Sequence, residues 1–111
     1  MRVAGQVAGG ASRPVNFFAF TVPQYQREPS YFEPLRSLEV PVETELYFAL
    51  VPYHPEEQAE GTTADQVRLV DEHLGDRDWG ICTECGMARA EREEIPTLLD
   101  LHREILATHG R

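Results

Sequence analysis

The sequence predicts an α/β fold with a parallel sheet. Two apolar runs, residues 17–22 and 45–52, are too short for ordinary helices and are rich in aromatic and β-branched side chains. The second run lacks polar alternation, which is typical of a strand covered on both faces, as in parallel sheets. From residue 45 onward, strand and helix patterns alternate as βαβα. Such a unit crosses over right-handed and places its strands parallel to one another.

The chain has 111 residues, which is enough for one domain of ordinary size. We assign residues 17–111 to a single α/β domain. The glycine-rich segment 1–16 is predicted to be poorly ordered. Its glycines and Gln6 also make it a poor secretory signal, and no long uncharged apolar run is present. We therefore expect a cytoplasmic protein that does not enter the membrane.

Helix signals lie between and after the strand candidates. Residues 31–38 have weak helical spacing, and residues 53–61 have the composition of a loop. Thr63 with Gln66 three residues later is a capping-box pattern, and Gly75 stands where a helix would end. These signals predict a helix that starts after Thr63 and ends before Gly75.

A third strand and a last helix follow. Residues 79–84 form the third strand candidate, and residues 95–109 carry a clear apolar stripe. Pro96 is tolerable only in the first turn of that helix, and Gly110 closes it. The loops that follow the second and third strands then lie at the same sheet edge. In parallel α/β folds that edge binds ligands.

The charge balance excludes several classes of function. The formal net charge is −9, which argues against nucleic acid and anionic membrane surfaces as partners. Every basic side chain is arginine apart from the histidines. Without lysine, the chain contains neither a Schiff-base lysine nor a phosphate-loop lysine.

Three side chains that bind metals or move protons are predicted to meet at the ligand-binding edge. His54 follows the second strand directly, and Glu84 and Cys85 come at the end of the third. An imidazole, a carboxylate and a thiolate are all zinc ligand types. The alternative is that His54 is a solvent-exposed loop residue and that Glu84 pairs with Arg89.

The two cysteines and the remaining histidines have simpler interpretations. Cys82 and Cys85 have the spacing of a redox dithiol, but residues three apart on a strand point to opposite faces. We therefore favour reduced structural thiols over a disulfide. The spacing from these cysteines to His102 and His109 does not fit a zinc finger. We expect His102 to lie at the core edge with a hydrogen-bond partner.

Residues 78–89 (DWGICTECGMAR) and 94–104 (EIPTLLDLHRE) carry a family resemblance. They resemble the C-terminal end of proteins in the superfamily of cobalamin-independent methionine synthase and uroporphyrinogen decarboxylase. Residues 44–54 and Gly61 look like the preceding strand and loop of bacterial members. The resemblance covers residues 31–109 and implies that residues 45–111 are the last two βα units of a (β/α)8 barrel.

The resemblance also implies a function. Glu84-Cys85-Gly86 matches an Asp-Cys-Gly run whose cysteine binds zinc in the methionine synthases, so Cys85 is the implied zinc ligand. The expected reaction is alkyl transfer to a small thiol. Of the site residues, the resemblance assigns a role only to Cys85. From their positions at the same sheet edge, we expect His54 and Glu84 to act as catalytic residues and Arg89 to bind a substrate carboxylate. The family's His-x-Cys ligand pair is absent from this sequence.

A barrel of this type needs about 250 residues, so this segment is incomplete on its own. We expect completion by a second copy or by a separately encoded N-terminal half. The alternative is a non-catalytic remnant or interaction domain with buried cysteines.

Overall fold

Three parallel strands in consecutive order form the sheet. The computed structural model describes residues 2–84 and 90–110. Strand β1 (Phe17–Phe20) pairs with β2 (Glu45–Val51), and β2 pairs with β3 (Gly80–Thr83). All three strands lie within the segments predicted as strands, which are residues 17–22, 45–52 and 79–84. The α/β class and the parallel sheet are therefore confirmed.

Helices precede, connect and follow the strands in the described part of the chain. The α-helices are α1 (Arg2–Gly10), α2 (Pro29–Phe32), α3 (Thr62–Leu74) and α4 (Ile95–His109). Short 3₁₀ helices cover Glu33–Ser37, Pro55–Glu57 and Arg92–Glu94. Among the described helices, none has both the length and the apolar character needed to cross a bilayer.

One face of the sheet, here called the helix face, carries the core. Phe20, Leu46 and Phe48 alternate onto it and are buried. The Phe48 ring stacks on Phe20 with 5.0 Å between centroids and meets the edge of Trp79 at 5.6 Å. The helical side chains in the same core are Phe32, Leu35, Val67, Leu69, Val70 and the half-buried Ile105. Helices α3 and α4 therefore pack on one side of the sheet.

The opposite face, here called the open face, is defined by Phe17, Ala19, Tyr47, Gly80 and Cys82. Phe17 is 58% exposed, Ala19 is exposed, and Tyr47 and Cys82 are half-buried. The Tyr47 ring covers Gly80 so closely that a Cβ there would lie 2.7 Å from it. The Phe17 and Tyr47 rings meet edge to face at 6.2 Å. An aromatic surface thus remains partly exposed to solvent.

Strand β2 departs from the prediction that both of its faces are covered. Its second half, Ala49 to Val51, is buried. In its first half Glu45 is exposed and Tyr47 is half-buried on the open face. The sequence pattern did not predict this difference in burial, because tyrosine counts as an apolar residue whether its side chain is buried or exposed.

The N-terminal segment forms a helix where the sequence indicated poor order. Helix α1 places Ala4 in the core, where only 5% of that residue is exposed. A Cβ on Gly5 would lie 3.5 Å from the carbonyl oxygen of Glu39, so this helix runs close to neighbouring backbone. Small residues permit that approach, although glycine also lowers helix propensity.

Helix α3 begins two residues earlier than a Thr63 cap requires. Its N-cap is Gly61, whose φ of 79° favours glycine, and Thr63 lies inside the first turn. The Gln66 side chain, expected to close a capping box, is buried and donates to the carbonyl oxygens of Pro23 (3.0 Å) and Gln26 (2.9 Å). Tertiary hydrogen bonds therefore replace the predicted local cap.

The predicted ends of the helices are correct. Helix α3 is followed by Gly75 with φ 71°, and its N–H donates to the carbonyl oxygen of Asp71. Pro96 lies in the first turn of α4, and Gly110 follows its last residue. These boundaries depend on the backbone preferences of glycine and proline, which can be read directly from the sequence.

Arg77 ties the segment before β2 to the segment before β3. Its guanidinium donates to the carbonyl oxygens of Val40 (2.8 Å), Pro41 (2.6 Å) and Thr44 (2.8 Å). A lysine ammonium cannot reproduce the planar arrangement of N–H donors in the guanidinium group.

We expect Arg77→Lys to lower the free energy of unfolding by about 1–2 kcal/mol in urea denaturation. Arg68→Lys is the control, because Arg68 is an exposed ion-pair residue, and we expect a loss below about 0.5 kcal/mol. Equal losses of stability in the two variants would contradict a stabilising role for the three Arg77 hydrogen bonds.

Candidate functional site

The loops after β2 and β3 begin side by side at the carboxyl edge of the sheet. The backbone N–H of Glu84 donates to the carbonyl oxygen of Val51 at 2.8 Å, which extends the pairing beyond the last residues of β3. Tyr53 and His54 follow β2 two and three residues later. The prediction that both loops share one edge is therefore confirmed.

His54 is exposed at this edge and interacts within its own loop. Its Nδ1 lies 3.5 Å from the Glu56 carboxylate, and its ring meets the Tyr53 ring at a centroid distance of 4.8 Å. The described contacts join His54 to these two neighbours and include none with Glu84. The His54 ring is therefore accessible to solvent and to a molecule bound beside it.

A cavity of about 270 Å³ separates the loop after β2 from the start of α4. The Tyr53 hydroxyl donates to the Glu94 carboxylate at 3.3 Å across this space. Loss of solvent contact, together with the charge of Glu94, raises the pKa of the Tyr53 hydroxyl. The lining residues are Tyr53, His54, Pro55, Glu56, Glu93, Glu94, Thr97, Leu98 and Leu101. The cavity therefore combines an acidic rim with an apolar floor.

Tyr53, Glu93 and Glu94 were missed in the sequence reasoning. Glu94 belongs to a reciprocal capping box with Glu91, in which the Glu91 N–H donates to the Glu94 side chain at 3.1 Å. The spacing of these two glutamates before Ile95-Pro96 is a helix-start signal that the sequence already contains. That signal would have located the start of α4 near Glu94, whereas the position of Glu94 beside the loop after β2 depends on how α4 packs on the sheet.

The described residues hold only part of the predicted metal site. Glu84 is half-buried and directly follows β3, as predicted. Cys85 and Arg89 lie outside the described residues, and so do the predicted Glu84–Arg89 pair and any Cys82–Cys85 bond. Within residues 2–84 and 90–110, no three His, Cys, Asp or Glu side chains form a metal-binding group.

Cys82 is a half-buried free thiol on the open face. Burial raises the pKa of this thiol, so its reactive thiolate form is disfavoured. A protonated thiol is a poor nucleophile and a poor metal ligand. Cys82 is therefore suited to a structural role, as the sequence indicated.

His102 joins α4 to β3 and takes no part in the carboxyl-edge cavity. Its Nε2 lies 2.7 Å from the hydroxyl oxygen of Thr83. Burial lowers the pKa of the imidazole, which favours its neutral form. The prediction of a core-edge histidine with a hydrogen-bond partner is confirmed.

Comparison of the chain with protein-family models, curated proteins and solved structures found no match. The strand order, the residues at the carboxyl edge and the family resemblance of the sequence are therefore the features that bear on function.

Proposed function

We propose that this chain supplies the last strands of a methionine-synthase-like (β/α)8 barrel, which transfers an alkyl group to a thiol with zinc when completed. The observation that supports this most strongly is the winding of the sheet. Parallel strands in the order β1-β2-β3, with α3 and α4 packed on one face, are wound as in a barrel wall. Doubly wound sheets, by contrast, carry helices on both faces.

The open face supports the need for completion. In a closed barrel this side of the sheet faces the interior and is covered by side chains from the other strands. Here Phe17 is 58% exposed and Ala19 is exposed. Within residues 2–84 and 90–110, strands β1 and β3 each pair with one other strand, so two sheet edges remain for pairing. Further strands, from a second copy or from a separate chain, would cover this surface.

The proposed chemistry takes place at the carboxyl edge, where barrel enzymes bind their substrates. Cys85 is the zinc ligand that the resemblance implies, and His54 and Glu84 line the site. Arg89 is assigned to a substrate carboxylate, which guanidinium groups bind well. These donor types fit zinc, but they do not complete a ligand set, so the remaining ligands would come from the completing strands. Zinc, when bound, would act as a Lewis acid that lowers the pKa of a small thiol substrate.

The surroundings of His54 fit a role in moving protons. The imidazole is exposed, stands 3.5 Å from the Glu56 carboxylate and borders the 270 Å³ cavity. Attack by a thiol requires removal of its proton, and a neutral imidazole nitrogen can accept a proton from a thiol beside it. We assign the reaction to the cytoplasm, where thiols stay reduced.

Serine variants of the two cysteines test this function. We expect Cys85→Ser to weaken zinc binding by the assembled protein by at least about 100-fold, because one thiolate ligand is lost. Cys82→Ser is the matched control, since burial keeps that thiol protonated, and it should bind zinc within about twofold of the parent. Equilibrium dialysis with metal analysis measures both affinities. Unchanged zinc binding by the Cys85→Ser protein would contradict the proposal.

A second candidate function is a non-catalytic interaction domain. The partly exposed open face favours it, because a surface with Phe17 and Tyr47 side by side suits burial against a partner. This function predicts an assembly that holds no zinc and tolerates both cysteine variants. The dialysis experiment therefore separates the two candidates.

A further inference from the structure

A second cavity, of about 370 Å³, lies at the amino edge of the sheet, away from the proposed catalytic residues. It is enclosed by α3, α4 and the start of β3. Val67 and Ile105 form apolar walls, and Leu106, which is 53% exposed, stands at its mouth. Its volume is within the range of small-molecule sites, toward the lower end.

The charged and polar groups of this cavity favour a cation. Asp71 and Asp78 both line it. The cavity also meets the C-terminal ends of two helices, because α3 ends at Leu74 and α4 ends at His109. Helix C-termini carry negative partial charge, which adds to the charge of the two carboxylates. With the imidazole of His109, which also lines the cavity, in its neutral form, the two carboxylates and the helix ends favour a positively charged ligand.

Trp79 supplies an aromatic wall in a fixed position. Its indole Nε1 donates to the Asp71 carboxylate at 2.8 Å, and its ring meets Phe48 at 5.6 Å and 90°. Two independent contacts thus hold the ring beside the acidic groups. A ring held in one position gives the apolar body of a ligand a rigid surface on which to pack.

We propose that this amino-edge cavity binds a small organic cation: an ammonium group with an apolar body. The ammonium would lie near Asp71 and Asp78, and the apolar body would pack on Val67 and Ile105. This binding site is independent of the proposed zinc chemistry, because it shares no residue with the carboxyl edge. A neutral molecule of the same shape would gain the apolar contacts but not the charge interactions.

Fluorescence titration tests the proposal directly, because Trp79 is the chain's single tryptophan and lines the cavity. The probe is phenethylammonium, and 2-phenylethanol is its neutral counterpart. The titration is run at about pH 8, above the range in which histidine ordinarily titrates. We expect a saturable change with the ammonium and binding at least about tenfold weaker for the alcohol. Equal affinities, or no saturable change with phenethylammonium, would overturn the proposal.

Charge variants locate the bound cation. We expect the double variant Asp71→Asn/Asp78→Asn to bind phenethylammonium about tenfold more weakly, while asparagine at position 71 still offers an oxygen to the indole. Glu72→Gln/Asp76→Asn is the matched control, since it also removes two negative charges but at residues outside the cavity, and its affinity should stay within about twofold. Similar losses in both proteins would show a general charge effect and overturn the proposal.

A variant at the exposed mouth of the cavity leaves Asp71 and Asp78 unchanged. Its result therefore does not depend on whether these residues are needed for folding. Leu106→Lys places an ammonium of the chain itself beside the cavity, and the position is exposed enough to accept lysine. We expect phenethylammonium binding to fall at least about tenfold. Binding equal to that of the parent would overturn the proposed location.

Discussion

Replacing Phe48 with alanine is expected to lower the free energy of unfolding by about 3–5 kcal/mol. Phe48 is fully buried at the centre of the sheet and contacts both Phe20 and Trp79. Removal of the Phe48 ring leaves a cavity in the core that the three strands share. Small domains are stable by about 5–15 kcal/mol, so this loss is a large part of the total. Urea denaturation followed by circular dichroism measures it.

Phe17→Ala is the matched control for Phe48→Ala. Phe17 lies on the neighbouring strand but points to the open face, where it is 58% exposed. We expect its replacement to cost less than about 1 kcal/mol in a single copy of the chain. The result that would contradict the described core is an equal loss of stability in the two variants.

Ala19→Glu is expected to weaken assembly of the chain by at least about 100-fold. Ala19 is exposed on the open face beside Tyr47, so a glutamate there leaves a single copy folded. In the proposed assembly the same glutamate would be buried without a partner. Sedimentation velocity over a range of protein concentrations gives the association constant.

Ala64→Glu is the matched control for assembly. Ala64 is exposed on α3, on the helix side of the sheet, and the substitution adds the same charge. We expect an association constant within about threefold of the parent value, after allowance for general repulsion. Assembly that survives Ala19→Glu as well as it survives Ala64→Glu would show that the open face is not the interface.

The sheet and the main helices were predictable because their signals are local. Continuous apolar runs located β1 and β2, and the apolar stripe with Pro96 and Gly110 located α4. These features follow from backbone preferences and from side-chain periodicity. The positions of Gly75 and Pro96 at helix ends follow from the same local chemistry.

Two parts of the fold were not predictable from local signals. Helix α1 contains three glycines, and its place in the fold depends on packing of Ala4 and close approach to Glu39. The start of α3 depends on Gln66, which turns inward to bind two distant carbonyl groups. In both cases a tertiary contact outweighs the local preference.

The position of the candidate site in the fold was predictable from the sequence. The residues that surround His54 were not. Strand ends placed His54 and Glu84 at one edge, because parallel strands share their direction. The acidic groups beside His54 come from its own loop and from the start of α4, which the pattern of strands does not reveal. Long-range placement of Glu93 and Glu94 depends on how α4 packs on the sheet.

Native mass spectrometry of the full chain, recorded with and without zinc, tests the central claim most directly. One spectrum reports both the number of copies and the bound metal. We predict a discrete assembly that retains zinc, because the open face must be covered and Cys85 is the implied ligand. A metal-free monomer at all protein concentrations would contradict both the barrel assembly and the zinc chemistry.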